Sequence, residues 1–596
     1  MTPSGQPTVQ PRVKVHLVVF IAWLGFLWLP QVHGAPVHLI EQSPVDSREV
    51  APGVMLVDFG RVAFGNLVLV PPANATGQIT VHFGEALADG RIDRKPPGSV
   101  RYARVVTTLN GSKPLVIAPP ADPRNTKQPA AVLTPSAWGV VLPFRWVEIE
   151  GWPGQLGTNQ IHRRAAFDIA WDDSASDFHC SNEMLNRIWD LCRYSIKATT
   201  FAGIYVDGDR ERTAYEADAY FSQLGQYYTD GHIPMARDTF DRLIKQPTWP
   251  TEWAPHMIFI AYADWMQTGD TNWLAANYAA LKPKLQLDRA LPNGLMASSD
   301  AKIKWGDLVD WPTSERDNFV FTHANTVANA FHLRALEMMA ALAAALHRDR
   351  DAADYTAQAR NGSAAFQEKF FDPATGLYRD GEDTDHTSLH ANLFPLAFGL
   401  VPVERRAHVA EWLASQGMKC SVYGAQYLME GLFENGQASQ AIVLMTAPGD
   451  RSWAHMVESG TTITWEAWDQ HYKPNQDWNH AWGAAPANLL PRFVLGVQPL
   501  APGWKRAMIR PNPGGLTSAS GKVPTPLGPV ILQWENRGTF KLTLTLPPGM
   551  SAQVQVPASE KSTTVFIDGH PTKARREAAW WVLENDVVGS QSIEVR

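Results

Sequence analysis

Apolar and polar positions change their period twice along the chain. From Pro36 to about Ala170 short runs alternate, as in Asn66–Val70, Gln78–Phe83 and Phe144–Ile149, with Gly and Pro clusters between them. A period of two puts successive side chains on opposite faces of a strand, so this region predicts an antiparallel β-sandwich. The Pro- and Ala-rich stretch from Pro119 to Pro135 predicts a long surface loop. At Ser181 the period becomes helical: Met184, Ile188, Cys192 and Ile196 recur every four residues, with Leu185 and Trp189 beside them. Val327, Phe331, Ala335, Met339, Leu342 and Leu346 trace a second helix, and Glu404–Gln416 a third that stops at Gly417. Helical patterns separated by loops continue to about Val497. Roughly 300 residues of this kind exceed what a simple bundle needs and predict a helical barrel or toroid. After Pro499-Leu500-Ala501-Pro502-Gly503 alternation returns in Val530–Trp534, Lys541–Leu546 and Thr564–Ile567, predicting a C-terminal β-sandwich.

A chain of 596 residues exceeds one compact core. The period changes divide it into a leader at 1–34, a β-domain at 35–175, a helical domain at 176–497 and a β-domain at 498–596. In the leader, Arg12 and Lys14 precede an apolar run from Val15 to Leu29, and small residues surround Gly34. The run is shorter than the roughly 20 residues that span a bilayer. It predicts a signal peptide cleaved after Gly34, a secreted or periplasmic protein, and no stable membrane association after cleavage. A net charge of −7 gives no basic footprint and excludes nucleic acid as a partner. The three cysteines, Cys180, Cys192 and Cys420, are too few for a disulfide framework and lack zinc-ligand spacing, so they read as buried thiols.

Four segments of the helical region concentrate acids, three of them beside tryptophans. Between Asp207 and Asp218 stand five carboxylates and two arginines: Asp207, Asp209, Arg210, Glu211, Arg212, Glu216 and Asp218. Close like charges raise one carboxyl's pKa while arginines hold others ionised, so one site can hold both a proton donor and a base. Thr213 and Glu216 have capping-box spacing, which predicts a structural role for Glu216. A second segment, Gly460–Asp469, sets Glu466 between Trp465 and Trp468, and Asp477-Trp478-Asn479-His480-Ala481-Trp482-Gly483 follows. The third holds Trp305, Asp307, Asp310 and Trp311; the fourth holds Trp249, Glu252 and Trp253. Aromatic faces stack on the apolar C–H faces of sugars while carboxylates and His480 meet hydroxyls. The 23 tryptophans, against 14 tyrosines, agree with a sugar site. Glu85 on the N-terminal β-domain is a further candidate sugar contact, although burying that domain's apolar face against the barrel is its simpler role.

In this order, Val206–Asp218, Val309-Asp310-Trp311-Pro312, Thr462–Asp469 and Asp477–Gly483 resemble the bacterial α-L-rhamnosidases, glycoside hydrolase family 78. The resemblance covers nearly the whole chain after the leader. It implies a central (α/α)6 barrel flanked by N-terminal and C-terminal antiparallel β-sandwich domains. It also implies an inverting hydrolase that releases terminal α-L-rhamnose from glycosides or oligosaccharides without a metal or organic cofactor. Glu211 falls on the family's general acid and Glu466 on its general base. Asp207 and Asp218 fall on positions that hold the sugar. Arg210, Trp253, Trp305, Asp310, Trp311, Trp465, Trp468 and His480 are then expected to line the pocket. Many members read Asp-Cys-Pro where this chain has the shorter Asp207-Gly208-Asp209, a departure that bears on substrate preference. Inversion requires carboxyl groups roughly 6.5–9.5 Å apart, leaving room for water. Two other readings are a glycosidase of the same fold acting on another sugar, and a non-catalytic carbohydrate-binding protein.

Overall fold

The computed structural model describes residues 37–559 and 562–596. The leader and its cleavage site lie outside the described residues. Among the described residues no helix is long and apolar enough to cross a membrane.

The first β-domain is built on the sixteen-residue strand Val54–Leu69. Strands Asp46–Ala51, Leu115–Ile117, Leu142–Glu150 and Ile161–Asp168 pair with it, all antiparallel. Its register against Leu142–Glu150 breaks between Asp58 and Ala63. Val57 before the break and Leu67 and Leu69 after it share one buried cluster with Val81, Phe83, Val147 and Ile149. The expected sandwich is thus one eight-stranded sheet whose two halves share a core. A second apolar set, Val62, Phe64, Val132 and Val141, packs on Phe201, Val206 and Ile463 of the helical domain, with Phe64 stacked on Phe201.

The helical domain contains, in chain order, α1 (Glu183–Ala198), α2 (Glu216–Thr229), α3 (Pro234–Lys245), α4 (His256–Thr268), α5 (Thr271–Leu281), α6 (Asp300–Trp305) and α7 (Thr326–Ala345). It continues with α8 (Asp349–Phe370), α9 (His390–Ala397), α10 (Val403–Gln416), α11 (Val422–Glu434), α12 (Ala438–Met445), α13 (Trp453–Glu458) and α14 (Pro486–Leu489). Contacts run α2–α4–α7–α9–α11–α14 and back to α2, which closes a ring of six inner helices. These are buried over most of their lengths. Helices α1, α3, α5, α8, α10 and α12 carry the alternating buried and exposed faces of an outer layer. Asn182, Asn325 and Ser421 cap α1, α7 and α11 by accepting backbone N–H bonds, which satisfies donors that a helix start leaves unpaired. Residues from the connections before α2, α4, α7 and α14 meet at one cavity, and the connection before α7 also bonds the starts of α9 and α11 through Asp310.

The C-terminal β-domain pairs a seven-stranded with a five-stranded sheet. Alternation is strict in Val530–Asn536, where Val530, Leu532 and Trp534 are buried and Ile531 and Gln533 exposed. Two features differ from the expectation. Arg506–Ile509 runs parallel to Ser551–Val554, so the domain is not wholly antiparallel. Strand Asp177–Cys180, placed by its position at the start of the helical domain, pairs with Ser518–Val523 in the C-terminal sheet. Four residues before a helix start carry too little pattern to reveal a partner over 300 residues away. All three cysteines are buried and free.

Candidate active site

The loop before α2 folds back on itself. Asp207 donates its N–H to the Thr213 carbonyl at 2.9 Å, and the Thr213 N–H donates to Asp207 Oδ1 at 2.9 Å. Gly208 sits at φ +118°, and a Cβ there would stand 2.7 Å from Asp477 Oδ2. Only glycine lets this loop lie flat on the segment from Asp477 to Asn479. The expected capping box does not form, because Thr213 is spent on Asp207 and α2 starts at Glu216 itself. Glu216 is buried and accepts the N–H of Thr248 at 2.9 Å as well as its hydroxyl, anchoring the segment that carries Trp249.

This folding brings Glu211 and Glu466 to one cavity of about 200 Å³. Arg210 spans them: Nη1 donates to Glu211 Oε1 and Nη2 to Glu466 Oε1, each at 2.6 Å. Glu211 also accepts the Tyr215 hydroxyl at 2.9 Å, and its side chain is 37% exposed. Glu466 is 2% exposed, with Lys473 Nζ 3.4 Å from Oε1. No helix holds it. The Trp482 indole N–H donates to the Glu466 carbonyl at 2.9 Å, and the Glu466 N–H to the Asp477 carbonyl at 3.2 Å.

Behind the pair lies a buried charge relay. His480 Nε2 lies 2.9 Å from Asp218 Oδ1 and Nδ1 lies 3.1 Å from Asp477 Oδ1. Burial opposes a charge on His480, but Asp477 and Asp218 outweigh it and hold its pKa well above 6.5. Burial likewise opposes ionisation of Asp477, yet His480 and Arg210 keep it below the usual carboxylate range. Asp207 behaves oppositely. Burial pushes its carboxyl far up, and Glu211, Asp477 and Asp218 add to the rise against the pull of His480. Burial thus favours the protonated form of the Asp207 carboxyl, a form that can donate as well as accept a hydrogen bond. Burial and Asp477 also raise Glu466, while His480, Arg210 and Lys473 oppose that rise.

Seven of the twelve residues singled out in the sequence line the cavity: Asp207, Arg210, Glu211, Trp253, Trp311, Glu466 and His480. Asp218 reaches it only through His480. Four do not line it. Trp305 ends α6 and is 73% exposed. Trp465 stacks on Trp478 with ring centroids 5.1 Å apart, and Trp468 packs edge-on against Trp453 and donates to the Cys420 carbonyl. Asp310 accepts from His390, from the Ser421 N–H at 3.0 Å and from its hydroxyl, tying its loop to the start of α11. In a run as dense as Thr464–Asp469, adjacent residues face different ways, and spacing alone does not say which faces a cavity. Trp249 and Trp482, from the tryptophan-bearing segments of the sequence, also line the wall, and Tyr215, Leu308, Lys473 and Asn475 complete it without having been singled out for it. Lys473, a 5% exposed lysine among acids and tryptophans, carried the one signal available.

Glu466, Asp477 and His480 also place ligand-type atoms within 4.8 Å of one another. Both His480 nitrogens already face carboxylates, and Arg210 and Lys473 already neutralise Glu466, so a metal there would have to displace existing partners. Two larger clefts, of about 390 and 320 Å³, adjoin the first β-domain near Thr461 and Thr462, and neither is lined by both Glu211 and Glu466.

Three family profiles match the chain in order. They are a bacterial alpha-L-rhamnosidase concanavalin-like domain at residues 48–167, the family's six-hairpin glycosidase domain at 173–494 and its C-terminal domain at 496–567. An alpha-L-rhamnosidase of Alteromonas sp. (strain LOR) is 24% identical over 579 residues, covering 90% of this chain and 59% of that protein. The crystal structure of Streptomyces avermitilis alpha-L-rhamnosidase complexed with L-rhamnose superposes with a TM-score of 0.76 at 22% identity, covering 94% of this chain and 54% of that one. The alpha-L-rhamnosidase from Dictyoglumus thermophilum gives 0.77 at 19% identity, covering 94% and 64%. At these identities the superpositions speak to the fold alone, and the chain spans little more than half the length of the first relatives.

Proposed function

The chain belongs to the bacterial α-L-rhamnosidase family, and from that premise we propose that it hydrolyses terminal α-L-rhamnosides with inversion of configuration. The observation that carries this reading is the pair Glu211 and Glu466, set on two sides of the Arg210 guanidinium in an aromatic-walled cavity. Its volume of about 200 Å³ is small beside the roughly 300–1,000 Å³ of drug-sized sites, and suits one terminal sugar ring. Tyr215, Trp253, Trp311 and Trp482 offer faces for the ring's C–H groups, and Asp207 offers a partner for its hydroxyls, with His480 held behind by Asp218 and Asp477.

Glu211, the more exposed of the two, delivers its proton to the glycosidic oxygen as the C–O bond breaks. Glu466 draws a proton from water, whose oxygen attacks the anomeric carbon from the opposite face. The products are β-L-rhamnose and the released alcohol, and one further proton exchange with solvent resets both carboxyls. Arg210 ties the two carboxyl groups together.

Hydrolysis of p-nitrophenyl α-L-rhamnopyranoside, against a panel of other glycosides, tests the reading. Glu211→Gln and Glu466→Gln are each expected to lower turnover by about 10²–10⁴-fold. Turnover of another glycoside alone would reassign the sugar; rhamnose binding without turnover in the wild type would make the chain a binding protein. The reading of residues 1–34 as an export signal rests on Arg12, Lys14 and the Val15–Leu29 run, and predicts Ala35 as the first residue of the mature protein by N-terminal sequencing.

A further inference from the structure

We propose that the first β-domain is a working part of the active site, and that Arg101 and Asn125 position the general acid by gripping Asp209. Asp209 is fully buried two residues before Glu211. Arg101 donates through Nε to its carboxylate and through Nη2 to its carbonyl at 2.8 Å. The Asn125 amide donates to the same carbonyl at 2.8 Å. Arg212 fills the other carboxylate oxygen at 2.9 and 2.6 Å. The Asp209 N–H donates to Asn479 Oδ1 at 2.7 Å, and Asn479 donates to Glu85 Oε1 at 3.0 Å. Glu85 Oε2 accepts the Arg101 N–H at 2.6 Å, which closes a ring through Glu85, Asn479, Asp209 and Arg101.

Two members of this ring belong to the first β-domain. Asn479 belongs to the segment that also carries Glu466. The ring therefore fixes the Glu211 loop against the base segment, using a frame outside the barrel. Asn125 and Val132, which bonds the Arg212 carbonyl at 2.8 Å, come from the Pro- and Ala-rich stretch that reads as a surface loop in the sequence. Glu85, a candidate sugar contact in the sequence, has both oxygens engaged in the ring. Simple docking of the domain needs none of this. The Arg61–Asp190 ion pair at 2.6 Å already joins it to the barrel away from the loop.

The proposal rests on Glu211 being the proton donor, and leaving-group dependence tests both. A misplaced acid matters when the leaving alkoxide needs a proton and little when it leaves as a stabilised phenolate. The experiment measures kcat and KM of the full chain on alkyl and 2,4-dinitrophenyl α-L-rhamnosides, with thermal unfolding of each variant. With the alkyl substrate, Arg101→Ala is expected to lose on the order of 100-fold in kcat and the milder Asn125→Ala about 10-fold. On the dinitrophenyl substrate both should stay within about 3-fold of wild type, with KM unchanged. Arg61→Ala, at the docking contact, should show neither effect. Losses of equal size on both substrates for Asn125→Ala, beside a leaving-group-dependent Glu211→Gln, would overturn the positioning role while leaving the acid in place. A Glu211→Gln loss independent of the leaving group would overturn the acid and the proposal together.

Discussion

At 2% exposure the Glu466 carboxylate meets little water, and Arg210 at 2.6 Å with Lys473 at 3.4 Å supplies the countercharge that water would. Burial and the neighbouring Asp477 nevertheless raise its pKa, against His480, Arg210 and Lys473. A base has to be ionised, so activity falls as pH drops through that raised value. The acidic limb of the kcat/KM profile should therefore lie above the ordinary glutamate range. Removing one of the opposing cations by Lys473→Met should move the limb to higher pH, as the loss of a positive neighbour disfavours the charged form. An unmoved limb would assign it to another group. Two tryptophans make the contrast between wall and core. Trp249→Ala should weaken substrate binding at modest cost to stability, since Trp249 lines the cavity and is half-exposed. Trp468→Ala, in the core against Trp453, should cost about 3–5 kcal/mol in a denaturant titration before any effect on substrate is read.

At the scale of elements, the loop from Asp207 to Thr213 is the most demanding segment near the chemistry. Gly208→Ala would add a Cβ 2.7 Å from Asp477 Oδ2 at a φ of +118°. Strain of about 1–3 kcal/mol is expected, with a loss of kcat as Glu211 is displaced. Equilibrium unfolding and turnover check the two parts separately. The helices were legible in the sequence because their apolar repeats are long: α7 and α10 lie where their patterns predict. The loop that carries Glu211 was legible as a cluster of charge but not in its internal bonding. Thr213 and Glu216 satisfy the capping-box spacing, yet one serves Asp207 and the other Thr248, because contacts to a loop over 30 residues away outweigh a local cap. Trp305, Trp465, Trp468 and Asp310 share one lesson. Composition brought them to attention, but Trp465, Trp468 and Asp310 are turned to Trp478, Trp453 and Ser421, and Trp305 stands largely in solvent at the end of α6.

Across the whole molecule, three β–α–β layers were readable from the two changes of period, and what escaped the sequence is how the layers share residues. Strand Asp177–Cys180 completes the C-terminal sheet, and Arg101 and Asn125 of the first domain reach the catalytic loop. Buried carboxyls also store protons, Glu85 in the first β-domain and Glu252 and Glu315 in the helical domain. Burial pushes Glu85 up to about 8, and Glu252 and Glu315 up to about 7. An unfolded glutamate titrates near 4.5, so unfolding releases these protons between that value and 7–8. Their contribution to stability is full below 4.5 and is lost as pH climbs through 7–8. The unfolding temperature should accordingly fall between about pH 4.5 and about pH 8, and Glu85→Gln should flatten the upper part of that fall. A stability that rises across this interval would contradict the burial of these groups as acids.

The central claim is a pair of carboxyls that work on opposite faces of one sugar, and the anomer formed first tests it most directly. Hydrolysis of an α-L-rhamnoside can be followed by proton NMR before mutarotation sets in. The account predicts β-L-rhamnose as the first product, and no product within the same interval from Glu211→Gln or Glu466→Gln. First appearance of α-L-rhamnose, or undiminished turnover by either variant, would contradict it.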